Sequence, residues 1–246
     1  MSRAFTLRAH LEHLAILSWP AEREKIAAML PAPLVPQTID RARRWGLVSM
    51  AIMRDTTFGA TYAQLNERTY VMLPDGRGKG AFFWRSLAAT PQAVLVRSLV
   101  GAPEFVADLS IDVAGGSYVF KRDGRVVAHL DLRRGAPTPA RYAGLDVARA
   151  QRLSARPMIG YTLNWGRLCA TRVVHSKMRP RRVATVRVEP TFMIPAAALE
   201  EGSFGTPLIA LYQRETPFWI DVPPRPIAGG GYLGIWSSLF RRWRPD

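Results

Sequence analysis

The chain has very little cysteine and few residues that could bind a metal ion. Its one thiol, Cys169, stands in an apolar strand-like segment, which is typical of a small buried residue. A single thiol excludes an intramolecular disulfide and any site built from several thiolates. Two of the four histidines, His10 and His13, are three residues apart, but no third ligand stands near them. We therefore expect no metal site and no bound cofactor.

Long uninterrupted hydrophobic segments are also missing. No stretch approaches the roughly 20 apolar residues that a membrane-spanning helix needs. The N-terminal segment has no continuous apolar run before Glu12 and His13, so it does not resemble a secretory signal. With 246 residues, 48% hydrophobic and 22% charged, the chain can form one large domain or two small ones. We expect a cytoplasmic globular protein.

Lysine is scarce although the chain is strongly basic. The net charge is +15, and all but four of the 34 basic residues are arginines. The lysines are Lys25, Lys79, Lys121 and Lys177. A basic surface can indicate nucleic acid, anionic lipid or acidic substrates. The arginines are scattered without a nucleic-acid-binding motif around them, so we do not expect nucleic acid to be a partner.

The most informative segment, residues 64–90, predicts two strands joined by a turn. Period-2 alternation collects four polar side chains on one face of the first strand: Gln64, Asn66, Arg68 and Tyr70. Residues 74–78 supply the turn, and the second strand, 80–87, is apolar and contains Trp84. The polar face is either solvated or directed into an interior. In an interior its groups need hydrogen-bond partners, and a polar ligand can provide them.

Strand–turn–strand signals recur along the rest of the chain. Asp123-Gly124, between two alternating segments, is the clearest hairpin signal. Further strands are predicted at 14–18, 44–53, 104–113, 163–175, 183–189, 208–214 and 218–222. Short helices are predicted at 21–30, 91–100, 146–156 and 194–201. This pattern favours a mainly β, α+β domain, with a closed or highly curved antiparallel sheet and a few helices at its margins.

The C-terminal tail, residues 229–246, differs in character from the rest. Three glycines, 229–231, form a flexible joint. In residues 232–243 aromatic and aliphatic side chains recur at helical spacing, and arginines follow at the end, as in an amphipathic helix. Such a helix docks on its own domain, on a second subunit of a homo-oligomer, or on a membrane surface.

Familiar catalytic motifs are absent, so the candidate site residues are polar residues on predicted strands. The sequence GRGKG at 76–80 lies in a hairpin and lacks the Ser or Thr of a phosphate loop. The planar fork of Arg68 matches the two oxygens of a carboxylate, and Asn66 and Gln64 can hold a carbonyl or hydroxyl group. Glu104 can enter a pocket, and His175 can act as an acid or base near neutral pH. Each of these residues also has an ordinary structural interpretation.

A series of segments in one order covers most of the chain: LSWPAEREKIAAMLPAPLVPQTID, QLNERTYV, GAFFWRSLAAT, AVLVRSLVGAPEF, TRVVH and LYQRETPFWIDVPP. The series resembles the uncharacterised YqjF-like proteins, which are distant relatives of acetoacetate decarboxylase. The resemblance implies an acetoacetate decarboxylase-like domain over residues 1–228, in which a curved sheet closes into a cone or barrel. It places the polar face of residues 64–70 inside, against a small organic acid or carbonyl ligand. Trp84 and Arg97, in the matched segments, become candidate ligand contacts.

The sequence departs from that family at the catalytic amine. In the decarboxylase a Gly-x-Pro-Lys segment carries the lysine that forms a Schiff base with the keto substrate. The matching residues here end in Glu104, Gln64 takes the place of a family glutamate, and no lysine stands at a replacement position. We therefore do not expect Schiff-base decarboxylation. The open alternatives are a lyase- or isomerase-like enzyme, in which Glu104 or His175 moves a proton, and a non-catalytic ligand-binding protein on the same scaffold.

Overall fold

The computed structural model describes residues 5–57, 59–99, 104–164, 166–200, 202–222 and 224–227. The predicted tail helix therefore lies outside the described residues, as do Gly101, Ala102 and Pro103. The side chains of residue 5 and residues 96–99 are also outside the described part.

Strands dominate the described part of the chain. They are β1 (Phe5–Glu22), β2 (Val35–Pro36), β3 (Trp45–Thr57), β4 (Ala60–Met72), β5 (Gly80–Ala88), β6 (Phe105–Val106), β7 (Leu109–Ala114), β8 (Ser117–Arg122), β9 (Arg125–Asp131), β10 (Ile159–Asn164), β11 (Arg167–His175), β12 (Arg181–Arg182), β13 (Ala184–Val188), β14 (Ile209–Val222) and β15 (Arg225–Pro226). The helices are α1 (Arg23–Ala28), α2 (Pro91–Leu99) and α3 (Val147–Ala155), with 3-10 turns at Ala140–Tyr142 and Ile194–Ala198. No helix within the described ranges is long and apolar enough to cross a membrane.

The larger sheet closes on itself. Its strands follow the order β14-β1-β3-β4-β5-β10-β11, and β11 then pairs with β14 through Val173–Ile220 and His175–Phe218. Most of these pairs are antiparallel, but β10 runs parallel to β5. The chain between those strands passes through a second sheet and α3 before it returns, as a parallel connection requires. The predicted closed, curved and mainly β architecture is confirmed, with a mixed rather than purely antiparallel sheet.

A second, four-stranded sheet, ordered β13-β9-β8-β7, covers part of the outer face of the ring. One hydrophobic cluster lies between this sheet and the outer face, and it includes Leu65, Phe82, Tyr118 and Phe120. Another lies inside the ring. The two faces of each ring strand therefore pack into different cores, which is why period-2 alternation decides whether a residue reaches the interior.

Strand β1 is longer than predicted because a bulge hides its alternation. Ala9 and Leu11 face the interior before the bulge, and Leu14 and Ile16 face it afterwards. The register with β3 shifts between Glu12 and Ala15, and His13 adopts a positive φ of 52°. A bulge of this kind bends a strand and strengthens its twist. Together the two halves of β1 wrap the sheet around a central cavity.

Candidate functional site

The interior of the ring contains a cavity of about 130 Å³. Its walls are largely apolar, and Leu14, Met53, Phe83 and Ile220 contribute to them. Most of the predicted site residues also line it: Gln64, Asn66, Arg68, Glu104 and His175. An apolar cavity with a few converging polar groups is the usual form of a small-ligand site in proteins.

Arg68 is the cationic side chain of the cavity lining, and it is almost fully buried. It lies at the middle of β4, opposite Ser49 on β3 and Phe83 on β5, and only 8% of it is exposed. Its Nη2 donates a hydrogen bond to the Ser154 carbonyl oxygen at 2.9 Å. Within the described residues it forms no ion pair, and its buried Nε has no hydrogen-bond partner. An uncompensated buried charge is costly, so this guanidinium is suited to an anion.

A buried hydrogen-bond network supports Arg68 from behind the cavity. The Tyr70 hydroxyl donates to Ser49 Oγ at 3.0 Å, and Ser49 Oγ lies 2.7 Å from Ser18 Oγ. Ser18 Oγ is in turn 3.0 Å from the hydroxyl of Ser154, whose carbonyl accepts from Arg68. The guanidinium also lies 5.6 Å from the centre of the Tyr70 ring. Tyr70 is therefore on the predicted face, but it supports Arg68 and does not line the cavity.

Glu104 is held by Gln64 of β4, whose amide nitrogen also contacts Asn66. Gln64 Nε2 donates to Glu104 Oε1 at 2.7 Å and is 3.3 Å from Asn66 Oδ1. Gln64 and Glu104 are both buried. The hydrogen bonds orient the amide planes and hold the carboxylate against the cavity wall, which gives the site a defined array of acceptors and donors.

His175 ends β11 with its ring oriented by two neighbours. Its Nδ1 is 2.8 Å from the carbonyl oxygen of Ser176, and the ring stacks on Phe218 at 5.4 Å and 12°. A carbonyl oxygen can only accept, so Nδ1 carries the proton in this hydrogen bond. In the neutral ring Nε2 is then a proton acceptor, and this atom is buried without a partner among the described residues.

Sequence reasoning missed several polar residues of the lining, including Asp55, Ser86 and Thr162. Asp55 is fully buried and accepts a hydrogen bond from Thr57 Oγ1 at 2.5 Å. It was missed because β3 extends beyond the predicted end at residue 53. Thr162 was missed because the predicted strand 163–175 is in fact a hairpin of β10 and β11. The positive φ of 76° at Gly166 marks its turn, and this glycine was the available signal.

Two other predicted contacts have different outcomes. Trp84 does not line the cavity: it packs in the outer core, and its Nε1 donates to the Met29 carbonyl at 3.2 Å. Trp84 was a contact implied by the resemblance, but alternation along β5 puts it on the outer face with Phe82, while Phe83 between them lines the cavity. Arg97 lies on α2, and its side chain is outside the described part.

The position of the lysines limits the chemistry of the site. All four lysines, Lys25, Lys79, Lys121 and Lys177, are exposed on the surface, and none is among the residues that line the cavity. A Schiff base with a ligand in this cavity would require a lysine amine at its wall. The described residues provide instead an arginine, two carboxyl groups (Asp55 and Glu104), two amides and an imidazole.

Solved structures of similar fold come from acetoacetate decarboxylase and related enzymes. A structure of acetoacetate decarboxylase aligns at a TM-score of 0.59 and 15% identity, covering 92% of this chain and 91% of that one. The acetoacetate decarboxylase of Legionella pneumophila aligns at 0.56 and 13% identity, covering 90% and 87%. The enduracididine biosynthesis enzyme MppR, complexed with the condensation product of pyruvate and imidazole 4-carboxaldehyde, aligns at 0.54 and 10% identity, covering 89% and 88%. These likenesses confirm the predicted fold.

The sequence comparison gives the family. No curated protein matches the chain significantly. The family model DUF2071, described as an uncharacterized conserved protein (COG2071), matches residues 8–216. That range includes every predicted catalytic and ligand-binding residue. This chain therefore belongs to the DUF2071 family, and it shares the fold of acetoacetate decarboxylase.

Proposed function

We propose that this protein binds a small organic carboxylate inside the ring, with Arg68 as its anchor. The observation that carries the proposal is the buried Arg68 guanidinium, which has no carboxylate partner among the described residues and has an unpartnered Nε at the cavity. A carboxylate supplies the missing counter-charge and the missing acceptor together, since arginine and carboxylate form two parallel hydrogen bonds.

The size and walls of the cavity limit the ligand. A cavity of about 150 Å³ accommodates a molecule such as benzene. The volume of about 130 Å³ therefore suits an acid with only a few carbon atoms. Apolar side chains favour a ligand whose body carries no second charge. The MppR structure, complexed with a product of pyruvate, supports a ligand of this class on the same fold.

We further propose that the protein is a lyase- or isomerase-like enzyme that works by proton transfer. His175 Nε2 or the Glu104 carboxylate would accept a proton from a ligand carbon next to a carbonyl, and the same group would return that proton to another position, so that it ends in its starting protonation state. Gln64 and Asn66 would hold the carbonyl oxygen on which negative charge develops. No imine forms, because no lysine lines the cavity.

The alternative is a non-catalytic binding protein. One observation favours it: Glu104 Oε1 already accepts a hydrogen bond from Gln64 at 2.7 Å, which suits a carboxylate that holds the wall in place. In that case Arg68 and the amides would bind the ligand and no bond would change.

A thermal-shift screen followed by proton NMR in D₂O tests both parts. Small keto, hydroxy and unsaturated acids are compared with their amides, using wild type, Arg68→Lys and Arg68→Gln. An acid at 100 times its Kd should stabilise the wild type by about 2.7 kcal/mol. Arg68→Lys should weaken this shift and Arg68→Gln should remove it. If the amides stabilise the protein as well as the acids, the Arg68 anchor is refuted.

The NMR measurement then separates catalysis from binding. An acid that binds should exchange a carbon-bound proton for deuterium in the wild type, and His175→Gln should slow that exchange at least 100-fold, the usual range for loss of a general base. Acid binding with no exchange and no product in any spectrum would leave the binding protein as the function.

A further inference from the structure

A second cavity lies outside the ring, where the two sheets meet. Its volume is about 210 Å³. Strand β12 pairs with β14 through Arg182–Leu211, and β13 begins two residues later and pairs with β9 through Ala184–Asp131. The chain thus crosses from one sheet to the other at Val183. The loop after β9 spans the gap and contributes Pro137 and Pro139 to the cavity wall.

Arg182 enters this cavity with most of its hydrogen-bonding capacity unused. Its Nη1 and Nη2 each lie 3.4 Å from Thr138 Oγ1, which is long for a nitrogen–oxygen hydrogen bond. Its Nε is buried and has no partner among the described residues. Within the same residues Arg182 forms no ion pair, although other arginines nearby, such as Arg134, do. A partly buried guanidinium in this state lacks acceptors that an anion would provide.

Hydrogen bonds fix both ends of the loop that spans the gap between the two sheets. At one end Ala184 N donates to the Arg134 carbonyl at 3.0 Å. At the other end the Tyr142 hydroxyl donates to the Thr206 carbonyl at 2.7 Å, and Arg141 Nη1 donates to the Gly202 carbonyl at 2.6 Å. The two ends of the loop are therefore fixed by short hydrogen bonds, whereas the contact between Arg182 and Thr138 in the middle is long.

The remaining lining indicates what the cavity accepts. The hydroxyl-bearing residues Thr185 and Thr206 stand with Arg182, and the rest of the wall is apolar, including Val183, Pro207 and Leu208. Inorganic phosphate, with two oxygens at the guanidinium, would bury its other two oxygens against that apolar wall, at a cost in desolvation. A carboxylate on an apolar body would place its charge at the guanidinium and its body against the prolines.

We propose that this cavity is a second binding site, which takes a small carboxylate with an apolar body through Arg182. The site is separate from the cavity of Arg68 and does not depend on the function proposed for it. An occupant would contact the ring through β12 and β14 and the outer sheet through β13, so it would hold the two sheets together at their junction.

Isothermal titration calorimetry with benzoate tests the proposal in the Arg68→Gln protein, from which the anchor of the first cavity has been removed. The expected result is saturable benzoate binding that weakens at least tenfold when Arg182→Gln is added. Benzamide, which lacks the charge, and inorganic phosphate, which lacks the apolar body, should each bind at least tenfold more weakly than benzoate. Benzoate binding that Arg182→Gln does not change, or equal binding of benzamide or phosphate, would overturn it.

A second variant distinguishes loss of benzoate binding from loss of the fold. Ala136→Phe places an aromatic ring in the cavity from the loop side and leaves the guanidinium in place. It should abolish benzoate binding in the Arg68→Gln background, whereas Arg77→Gln, in the exposed turn between β4 and β5, should retain it. Benzoate binding that survives Ala136→Phe would also overturn the proposal.

Discussion

Arg68 on β4 and Arg85 on β5 are buried arginines on neighbouring strands, and they have different partners because they lie on opposite faces of one sheet. Their exposed fractions are nearly equal, 8% and 7%. Arg85 faces the outer core, where its Nε donates to Glu67 Oε1 at 3.0 Å and its Nη2 donates to the same oxygen and to the Phe192 carbonyl. Arg68 faces the cavity and has no ion pair among the described residues.

We propose that the difference separates a structural charge, on Arg85, from a ligand-binding one, on Arg68. Glu67 is fully buried, and its Oε2 also accepts from the backbone N–H of Ile194 at 2.9 Å. Burial raises the pKa of the Glu67 carboxyl, and the charge of Arg85 opposes that rise. In the outer core the charges of Arg85 and Glu67 are therefore paired with each other. Among the described residues that line the interior of the ring, Arg68 has no ion pair, and we propose that a ligand supplies it.

The largest expected effect comes from breaking the outer pair. Arg85→Met leaves Glu67 charged and buried without its partner, which should cost about 3–5 kcal/mol of unfolding free energy. Urea denaturation monitored by circular dichroism measures it. Arg68→Met is the matched control on the neighbouring strand and should cost less than about 2 kcal/mol, chiefly for the lost bond to Ser154. Equal losses in the two variants would refute the contrast between the faces.

The next effect is the loss of ligand response without loss of the fold. In Arg68→Met the carboxylate-induced stabilisation, about 2.7 kcal/mol at 100 times the Kd, should disappear. The replacement keeps the apolar length of the side chain, so the cavity stays filled to a similar extent. Differential scanning calorimetry with and without the best acid from the screen measures the response. A full response in Arg68→Met would mean that another group binds the acid.

A smaller effect should follow from loosening the network behind Arg68. Tyr70→Phe removes the hydroxyl that donates to Ser49 and should cost about 1 kcal/mol of stability. If the network positions the guanidinium, acid affinity should also fall severalfold, while a neutral ligand of the same shape should bind as before. Titration calorimetry with both ligands checks this. Loss of affinity for both ligands to the same degree would point to general disorder of the cavity.

The smallest effect concerns pH and the outer side of β1. Burial and the nearby charge of Arg54 lower the pKa of His13, whose Nδ1 is 2.8 Å from the Tyr212 hydroxyl. A lowered folded-state pKa means that His13 stabilises the fold above its unfolded pKa of about 6.5 and that this stability is lost as pH falls through the folded pKa. Wild type should therefore lose stability relative to His13→Gln below about pH 6.5. Parallel pH curves for the two proteins would contradict this.

Alternation along the sequence collected the polar residues on one face of β4, and the family resemblance implied that this face lies inside the ring. Gln64, Asn66 and Arg68 follow period 2 along β4, and the structure places all three at the cavity. Trp84 was a contact implied by the resemblance, but it shares the outer face with Phe82, and the register between β4 and β5 shifts after it so that Arg85 also faces outwards. A bulge inserts one residue and reverses the faces beyond it, and its position depends on packing between strands that are distant in sequence.

The partners of Arg68 and Arg85 could not be predicted from the sequence for the same reason. Alternation placed Glu67 and Arg68 on opposite faces of β4. Arg85 reaches Glu67 only because the shifted register sets Arg85 and Glu67 side by side. The Ser154 carbonyl that fixes Arg68 comes from the end of α3, 86 residues along the chain. Contacts of this range depend on the closure of the ring and are not encoded in any local pattern.

The most direct test of the account is an NMR titration that observes the arginine side-chain Nε–H groups. Arg68→Lys and Arg85→Lys spectra assign the two signals, and a small carboxylate is then added to the wild type. The Arg68 signal should show a large, saturable shift and the Arg85 signal should stay unchanged, because Arg68 Nε has no acceptor among the described residues whereas Arg85 Nε donates to Glu67. A silent Arg68 signal with an acid that binds, or equal shifts of both signals, would contradict it.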